Sequence, residues 1–414
     1  MSVLTICFGT CGIRFTHSLY STIFNDINAF DPIVTQHVNE EYKHISESYF
    51  FELKSSGYLE PRSVLIDIGD PNIGETLKKS KNCNWGFGQN ALGFNFIEGT
   101  TNNWSYCYYV KGPEMFEDVS SRLRFEINKI DQIEYFLIIL SPSGGCAGSA
   151  CFILEKLKQD FPKISFIVVF IIPYQSKDAI QNYNTSFTIS KLYSISDCIF
   201  SFENSVLQEV CQAGHSEVKV SFDDLNQIAT KQLISIFQPV EHQTFPYFLS
   251  LVHDQKYKFL RLMSSPNYRK EYSSYESTPR WEAIVNQTIR SLNASHTVSF
   301  GNFVVYRGAT TNDVDKLNFC GKLNTLSFSK HILEEHKFSQ MFQQRHFMGS
   351  KYLSVLSNNS TNVSALNSVV KLAKRAFSHK AFVHHYIQYN TNINDFKNVF
   401  SNVNQIIKDY YELE

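Results

Sequence analysis

Two glycine-rich turns carry the clearest chemical signal in the sequence. They are residues 9–12 (GTCG) and residues 141–149 (SPSGGCAGS), and each follows an apolar run and precedes a helical pattern. Glycine lets a backbone approach an anion closely, and the start of a helix points N–H groups at it. Two such turns at the carboxyl ends of strands in one sheet predict an anion-binding site at that edge.

Other reactive residue types give weaker signals. The sequence contains neither GxxxxGK[ST] nor GxGxxG, which excludes a P-loop enzyme and disfavours a dinucleotide oxidoreductase. Its nine cysteines form no CxxC pair and have no histidine at zinc-finger spacing, so we interpret them as reduced thiols in a reducing compartment. His384 and His385 are adjacent on a predicted helix and therefore face different directions, which favours packing over a shared metal.

The elements that must position these turns alternate between strand and helix. Apolar strand patterns occupy residues 3–8, 64–68, 135–140, 164–172 and 198–202. Helical patterns between them occupy residues 15–27, 116–130, 149–161, 183–196 and 205–213. Continuous apolar strands separated by helices predict an α/β fold with a Rossmann-type parallel sheet covered on both faces.

The second half of the chain has a different pattern. Helices are predicted at residues 222–237, 245–263, 281–292, 365–377 and 393–411, strands at 298–306, 325–328 and 353–356, and a surface connection at 357–364. The pattern predicts a mixed α/β middle domain followed by a carboxyl-terminal helical hairpin. The predicted boundaries are residues 1–204, 205–362 (the core helix and middle domain) and 363–414.

The composition excludes several classes of protein. Lys plus Arg is 38 and Asp plus Glu is 39, which gives a net charge of −1 and no global field for nucleic acid or an anionic membrane. The longest apolar run, at residues 166–172, is far shorter than the ~20 residues that span a bilayer. The chain also opens without a basic segment of the secretory type. We therefore expect a cytoplasmic protein that binds neither nucleic acid nor membrane.

The motifs resemble those of the tubulin family, in the family's order and over nearly the whole chain. The first glycine turn is similar to the tubulin GQCGNQ segment, and the second stands where tubulins have GGTGSG. The other matching segments are residues 59–67 (LEPRSVLID), 102–108 (NNWSYCY), 182–184 (NYN), 202–204 (FEN), 222–226 (FDDLN) and 375–386 (RAFSHKAFVHHY). Within the family, residues 102–113, 181–184 (QNYN) and 236–239 (IFQP) are closest to the delta branch, with zeta and epsilon as the alternatives.

The resemblance implies a tubulin/FtsZ-like GTP-binding domain and assigns residues to it. Phe222 would stack on the guanine in place of the usual Tyr, Asn204 and Asn226 would read its edge, and Gln181 would lie near the ribose, where alpha and beta chains have an acid. An amide suits guanine because it offers both a donor and an acceptor. The residues implied near the phosphates are Gly9, Thr10, Cys11, Asn102, Ser141, Gly144, Gly145, Cys146, Ala147 and Gly148.

Two departures from the family pattern bear on this site. In the phosphate loop, either Ala147 replaces a glycine in register, or one residue is inserted so that Gly148 and Ser149 match. The acid that acts on nucleotide-bound Mg²⁺ is replaced by Gly69, which leaves Asp67 and Asp70 as the candidate metal ligands. Mg²⁺ usually keeps several waters, so one displaced carboxylate can suffice.

A third departure concerns hydrolysis. Tubulins that polymerise carry an acidic GxxNxD loop that orients the attacking water in the next subunit, and residues 240–246 (VEHQTFP) lack it. The resemblance therefore implies at most a weak assembly-dependent GTPase that cannot activate a stacked neighbour. It also implies a role in forming or maintaining the triplet microtubules of centrioles and basal bodies. The partners implied are other tubulins (alpha/beta, epsilon or zeta) and centriolar proteins.

Two alternatives remain from the sequence. The first is a structural tubulin-fold module that has lost its nucleotide, which the Ala147 and Gly69 departures favour. The second is an unrelated Rossmann-type metabolic enzyme, which the lack of an acid–base constellation at the strand ends disfavours.

Overall fold

A computed structural model describes most of the chain. The residues it describes are 2–68, 74, 83–88, 91–93, 102–212, 219–240, 247–252, 256–266, 280–293, 298–322, 327–328 and 337–412. The described chain forms two compact units. The first comprises Met1–His17, Tyr49–Ser205 and Val363–Asp409, and the second comprises Ser18–Ser48, Val206–Asn362 and Tyr410–Glu414.

Strands and helices make up most of the described chain. The strands are β1 Ser2–Phe8, β2 Phe51–Leu53, β3 Leu59–Pro61, β4 Ser63–Ile66, β5 Leu92–Gly93, β6 Ile133–Leu140, β7 Ser165–Ile172, β8 Cys198–Glu203, β9 Phe259–Ser265, β10 Val298–Arg307, β11 Ser327–Phe328, β12 Phe338–Gln343 and β13 Tyr352–Asn359. The α-helices are α1 Gly9–Asn28, α2 Gln36–Phe50, α3 Trp104–Tyr106, α4 Gly112–Ile127, α5 Cys146–Asp160, α6 Ala179–Ile195, α7 Asn204–Gln212, α8 Phe222–Phe237, α9 Trp281–Asn293, α10 Thr311–Leu317, α11 Phe319–Lys322, α12 Ser364–Ser378, α13 Val383–Ile387 and α14 Ile393–Tyr411. A π-helical turn, Cys107–Lys111, joins α3 to α4, and 3₁₀ turns occupy Tyr247–Leu251 and Ser360–Val363.

The first unit contains the parallel sheet that the sequence predicts. Its strands lie in the order β8-β7-β6-β1-β4-β5, and every neighbouring pair is parallel. Strand β1 is buried along its whole length, and β6 and β7 are buried except at their first residues. Burial of both faces explains why these strands read as unbroken apolar runs. The Rossmann-type α/β prediction is confirmed.

The second unit contains a mixed sheet. Strand β13 pairs antiparallel with β9 and β10, while β11 and β12 pair in parallel with β10. One face of this sheet packs on α9 through a core that includes Trp281, Val285, Tyr306 and Leu353. The mixed α/β character predicted for the middle of the chain is therefore confirmed, while the three predicted domain boundaries stay predictions.

Two local predictions in the second unit are wrong. Residues 245–263 are not one helix: the described part is the 3₁₀ turn followed by β9, whose backbone pairs with β13. Residues 357–364 are not a polar surface connection, because β13 continues to Asn359. Ser357 and Asn358 are buried, and their side chains bond to Asn302 and to the carbonyls of Leu251 and Tyr257. Pairing and buried hydrogen bonds override the local composition here.

Candidate functional site

The first glycine turn is the junction of β1 and α1. Gly9 has φ +74°, a left-handed conformation that favours glycine, and it lets the chain pass directly from strand to helix. A Cβ on Gly9 would lie 3.6 Å from the Cβ of Cys146, so this turn adjoins the second one. Gly12 has another role: a Cβ there would lie 2.6 Å from the carbonyl oxygen of Ile139, which makes it a helix-packing glycine.

Thr10 and Asp67 meet beside this turn. The Thr10 hydroxyl donates to Asp67 Oδ2 at 3.0 Å, and the Ile68 N–H donates to Asp67 Oδ1 at 2.6 Å. They meet because β4, which precedes Asp67, pairs in parallel with β1. Asp70 lies outside the described residues. No group of three His, Cys, Asp or Glu side chains that could hold a metal occurs among the residues described. The buried carboxylate of Asp67 fits Mg²⁺ that keeps most of its waters, and it does not form a cage.

The second glycine turn links β6 to α5. Gly145 donates its N–H to Asn102 Oδ1 at 3.1 Å, and a Cβ on Gly145 would lie 2.9 Å from the Asn103 nitrogen. The close approach of residues 102–103 therefore requires glycine at this position. A Cβ on Gly144 would meet no atom of the described residues within 4 Å, so this glycine faces space that is open within the described part of the chain and through which an anion can approach. The Ser141 and Ser143 hydroxyls lie 3.1 Å apart at the start of the loop.

The first turn of α5 contains the residues whose register the sequence left open. Ala147 donates its N–H to the Gly144 carbonyl at 3.2 Å, and Gly148 donates to the Gly145 carbonyl at 2.9 Å. Ala147 is only 2% exposed, so protein atoms cover its methyl group. A Cβ on Gly148 would lie 2.1 Å from the Trp104 carbonyl oxygen, which identifies it as a packing glycine between α5 and α3.

Asn102 and its neighbours complete this edge of the unit. Asn102 has φ +50°, in the left-handed region that asparagine tolerates better than most residues. Asn103 caps α3 by accepting the N–H of Tyr106 at 3.2 Å, and its Nδ2 donates to the His385 carbonyl at 2.8 Å. The prediction placed Asn102 at the phosphates, and the structure brings it to Gly145.

Asn184, on α6, is a site residue that sequence reasoning missed. Its side chain is completely buried and donates to the carbonyls of Asn102 and Ser143, each at 3.0 Å. The available signal was the run of polar residues on the buried part of α6, where ten of seventeen residues are buried and five of those ten are Asn, Ser or Thr. Buried polar side chains in a helix imply partners on other segments.

Gln181 lines a cavity of about 260 Å³ at the carboxyl ends of β7 and β8. Its Nε2 donates to the Tyr174 carbonyl at 3.2 Å, and the carboxylate-bearing Glu203 lines the same cavity. Asn204 follows as the first residue of α7 and is 7% exposed. Because the carboxyl ends of parallel strands lie at the same edge of a sheet, this cavity is on the same sheet edge as both glycine turns.

Phe222 and Asn226 belong to the second unit, at the start of α8. Ser221 and Asp224 form a capping box that fixes where this helix begins. Residues four apart share one face of a helix, so the 61% exposed Phe222 ring and the Asn226 amide point to the same side. Their position relative to the phosphate loop stays a prediction.

The two cysteines in the turns are neutral thiols. Burial raises the pKa of Cys11 to about 11, although the Arg14 charge acts to lower it. Burial also raises the pKa of Cys146 well above its usual value, and the negative charge of Asp67 adds to this effect. Neither thiol is an activated nucleophile, because nucleophilic attack requires the thiolate.

The fold and this edge define an α/β protein of the Rossmann type whose glycine turns are suited to binding an anion. Within one unit, two strand-to-helix glycine turns, Asn102 and the Thr10–Asp67 pair lie together at the carboxyl ends of parallel strands. This is where such sheets bind ligands, and helix starts favour anions there.

A comparison with known protein families identifies the particular class. The model of the Tubulin/FtsZ family, GTPase domain, matches residues 2–212. The chain therefore belongs to the Tubulin/FtsZ family, whose membership implies guanine nucleotide binding. The chain is 28% identical to the tubulin delta chain of Mus musculus and 26% identical to that of Homo sapiens, each over the full length of both proteins. It is 23% identical to the tubulin beta chain of Pneumocystis carinii, over 98% of this chain and 94% of the relative.

The comparisons confirm the resemblance to tubulins and to their delta branch that the motifs indicated. Among the described residues, no helix combines the length and the hydropathy needed to cross a bilayer.

Proposed function

We propose that this chain holds GTP or GDP across the carboxyl edge of its parallel sheet, with the phosphates over Gly9–Cys11 and Gly144–Cys146. The observation that best supports this proposal is that both glycine turns lie close to each other and to Asn102 within one unit. Backbone N–H groups at the start of α5 would bind phosphate oxygens, and the helix dipole would add to that attraction.

Several residues support the rest of the proposed site. Gln181 and Glu203 line one cavity, where an amide and a carboxylate suit ribose hydroxyls. Asn204, Phe222 and Asn226 would recognise the base.

The first turn of α5 supports one of the two registers of the phosphate loop. Ala147 lies in an uninterrupted first turn, so we propose that it replaces the family's glycine without an insertion. Its methyl is covered by protein, and a covered methyl does not obstruct a phosphate. This observation favours a nucleotide-bound protein over the alternative of a structural module that has lost its nucleotide.

If Mg²⁺ accompanies the nucleotide, Asp67 would bind it through water, since Asp67 is the one of the two candidate ligands that the structure describes. The metal would neutralise phosphate charge when bound. Thr10 would orient the Asp67 carboxylate by its hydrogen bond. Removing Mg²⁺ with a chelator should therefore weaken GTP binding in the native protein and change it less in Asp67→Asn.

We also propose that the chain acts with other tubulins and centriolar proteins in forming or maintaining the triplet microtubules of centrioles and basal bodies. Its similarity to delta chains supports this role, and a zeta or epsilon type is the alternative. The lack of an acidic GxxNxD segment at residues 240–246, of which 241–246 lie outside the described residues, supports a subunit that does not activate hydrolysis in a neighbour.

Two experiments test the proposal. Denaturing the purified protein and separating the released nucleotides should give about one GTP or GDP per chain, whereas an empty protein would support the structural module. Co-assembly with a GTP-loaded partner tubulin should give no extra phosphate release. Release that depends on this chain would refute the hydrolysis part.

A further inference from the structure

The amide of Asn184 uses its entire hydrogen-bonding capacity inside the first unit. Its Oδ1 accepts the Trp104 N–H at 3.1 Å and the Tyr386 hydroxyl at 2.6 Å. Its Nδ2 donates to the carbonyls of Asn102 and Ser143, both at 3.0 Å. An amide has two donor hydrogens and two acceptor lone pairs, so all four are satisfied.

The partners determine which way this amide points. The backbone N–H of Trp104 can only donate, so it requires the amide oxygen of Asn184. The two backbone carbonyls can only accept, so they require the amide nitrogen. No other standard side chain of this size offers both functions. A carboxylate here would place an oxygen against two carbonyls, and an apolar side chain would leave buried polar groups unsatisfied.

The two carbonyls belong to the two segments that border the proposed phosphate site, residues 102–103 and the 141–145 loop. Asn102 accepts the Gly145 N–H through its own side chain, and Ser143 immediately precedes the open glycine, Gly144. Asn102 also has a left-handed backbone, a conformation that persists where the surroundings over-determine it. The bond from Asn184 to the Asn102 carbonyl supplies such a constraint.

We propose that Asn184 is the positioning residue of the phosphate site: it sets the spacing between the Asn102 segment and the 141–145 loop. This inference rests on the proposed guanine nucleotide binding. Asn184 does not itself contact the nucleotide, and it acts through the two loops that it joins. Both loops must be preorganised for the Gly144 region to receive a phosphate without a cost in ordering them.

Tyr386, on α13, fixes the amide in turn. It is completely buried, with its ring at 5.5 Å from that of Tyr183 and 5.9 Å from that of Phe187. The packing holds its hydroxyl against Asn184 Oδ1. A phenylalanine at this position keeps the ring contacts and removes one of the four bonds of the amide.

The chain offers a matched control on the same helix. Asn182 is 2% exposed, and its Nδ2 also donates to two backbone carbonyls, those of Ser176 at 3.0 Å and Asp178 at 2.7 Å. Neither carbonyl belongs to the phosphate loops, although Asn182 and Ser176 line the cavity proposed for the ribose. Asn184→Asp and Asn182→Asp each replace an amide nitrogen that donates to two backbone carbonyls by an oxygen, on the same helix. Only Asn184→Asp breaks hydrogen bonds to the phosphate loops.

The test measures dissociation constants for GTP and for GMP by calorimetry, on nucleotide-stripped full-length protein well below its melting temperature. Asn184→Asp should weaken GTP binding by about tenfold or more, since two hydrogen bonds are lost and 1.4 kcal/mol corresponds to tenfold. GMP binding should weaken by less than about threefold, because GMP lacks the outer phosphates. Asn182→Asp should change the affinities for GTP and GMP by the same factor, because both nucleotides carry the ribose and Asn182 lines the cavity proposed for it.

Tyr386→Phe keeps the proposal testable if the Asp variant fails to fold. It should weaken GTP binding by about three- to tenfold and leave GMP nearly unchanged. Equal losses for GTP and GMP in Asn184→Asp, or the same difference between GTP and GMP at positions 184 and 182, would overturn the positioning role while leaving nucleotide binding intact. A native protein that binds no GTP would instead overturn the proposed function, and with it this inference.

Discussion

Gly148→Ala tests whether Gly148, in the second glycine turn, is required for packing of α5 and not for phosphate binding. An added Cβ would lie 2.1 Å from the Trp104 carbonyl oxygen and 2.9 Å from the Tyr108 nitrogen. Both are backbone atoms, so no flexible side chain can move aside. A normal contact requires α5 and the segment at residues 104–108 to separate by about 1 Å, in an interior packed at crystal-like density.

The expected cost follows from these distances. Overpacking a buried position costs about 1–3 kcal/mol, and a backbone overlap of this depth belongs at the upper end. Alanine regains up to about 1 kcal/mol over glycine within a helix, which leaves a net loss of roughly 2 kcal/mol. At about 2–4 °C per kcal/mol for a unit of this size, the melting temperature should fall by roughly 4–8 °C.

Gly144→Ala is the matched control, because a Cβ there would meet no atom within 4 Å among the residues that the structure describes. Its melting temperature should stay within about 2 °C of the native value. GTP binding should nevertheless weaken, since the methyl occupies the open space over the loop. Differential scanning fluorimetry and nucleotide titration of both variants separate the two effects. A Gly148→Ala protein as stable as the native one would show that the close approach of α5 and α3 does not constrain this position.

Three further predictions concern other parts of the molecule. Arg345→Met should destabilise the second unit by about 3–5 kcal/mol, because it leaves buried Asp26 without the guanidinium 3.3 Å away; urea unfolding measures this. Burial acts to raise the pKa of Asp31, but hydrogen bonds from His346 lower it below its usual value. The stability that this lowered pKa contributes is present above about pH 4 and is lost as the pH falls through the pKa of Asp31 in the folded protein. In His346→Ala the melting temperature should therefore fall less steeply with decreasing pH than in the native protein. Cys83 is the exposed cysteine among the eight whose side chains the structure describes, so iodoacetamide at pH 8 should label it before the other seven, as peptide mass spectrometry would show.

The parts of the fold that the sequence predicts well are those in which burial alone dictates the pattern. The predicted strand at residues 3–8 differs from β1 by one residue, and α14 has the bounds that its helical periodicity predicts. The prediction of a helix at residues 245–263 was wrong because the apolar residues of this segment fit a helix about as well as a strand. Pairing of β9 with β13, some ninety residues away in sequence, decides the outcome.

The residues of the candidate site also differ in how well the sequence predicts them. Glycine turns after apolar strands are local patterns, so Gly9 and the 141–149 segment can be found from the sequence. Asn184 is different, because its role requires partners at positions 102, 104, 143 and 386. Only the folded chain brings these segments together. A buried amide with distant partners looks like an ordinary helix residue in a linear sequence.

The glycines of the two turns have three different physical roles, and this changes how divergence in the phosphate loop should be interpreted. Gly9 is required for its left-handed backbone, whereas Gly145 and Gly148 are required by neighbouring backbones. Of these four glycines, Gly144 is the one whose added Cβ would meet no described atom within 4 Å. In the register that we propose, Ala147 replaces the family's glycine, and because protein covers its side chain, its methyl group would take no space from the proposed phosphate site. Substitution at Gly144 would therefore affect phosphate binding more directly than the Ala147 departure, although both alter the same motif.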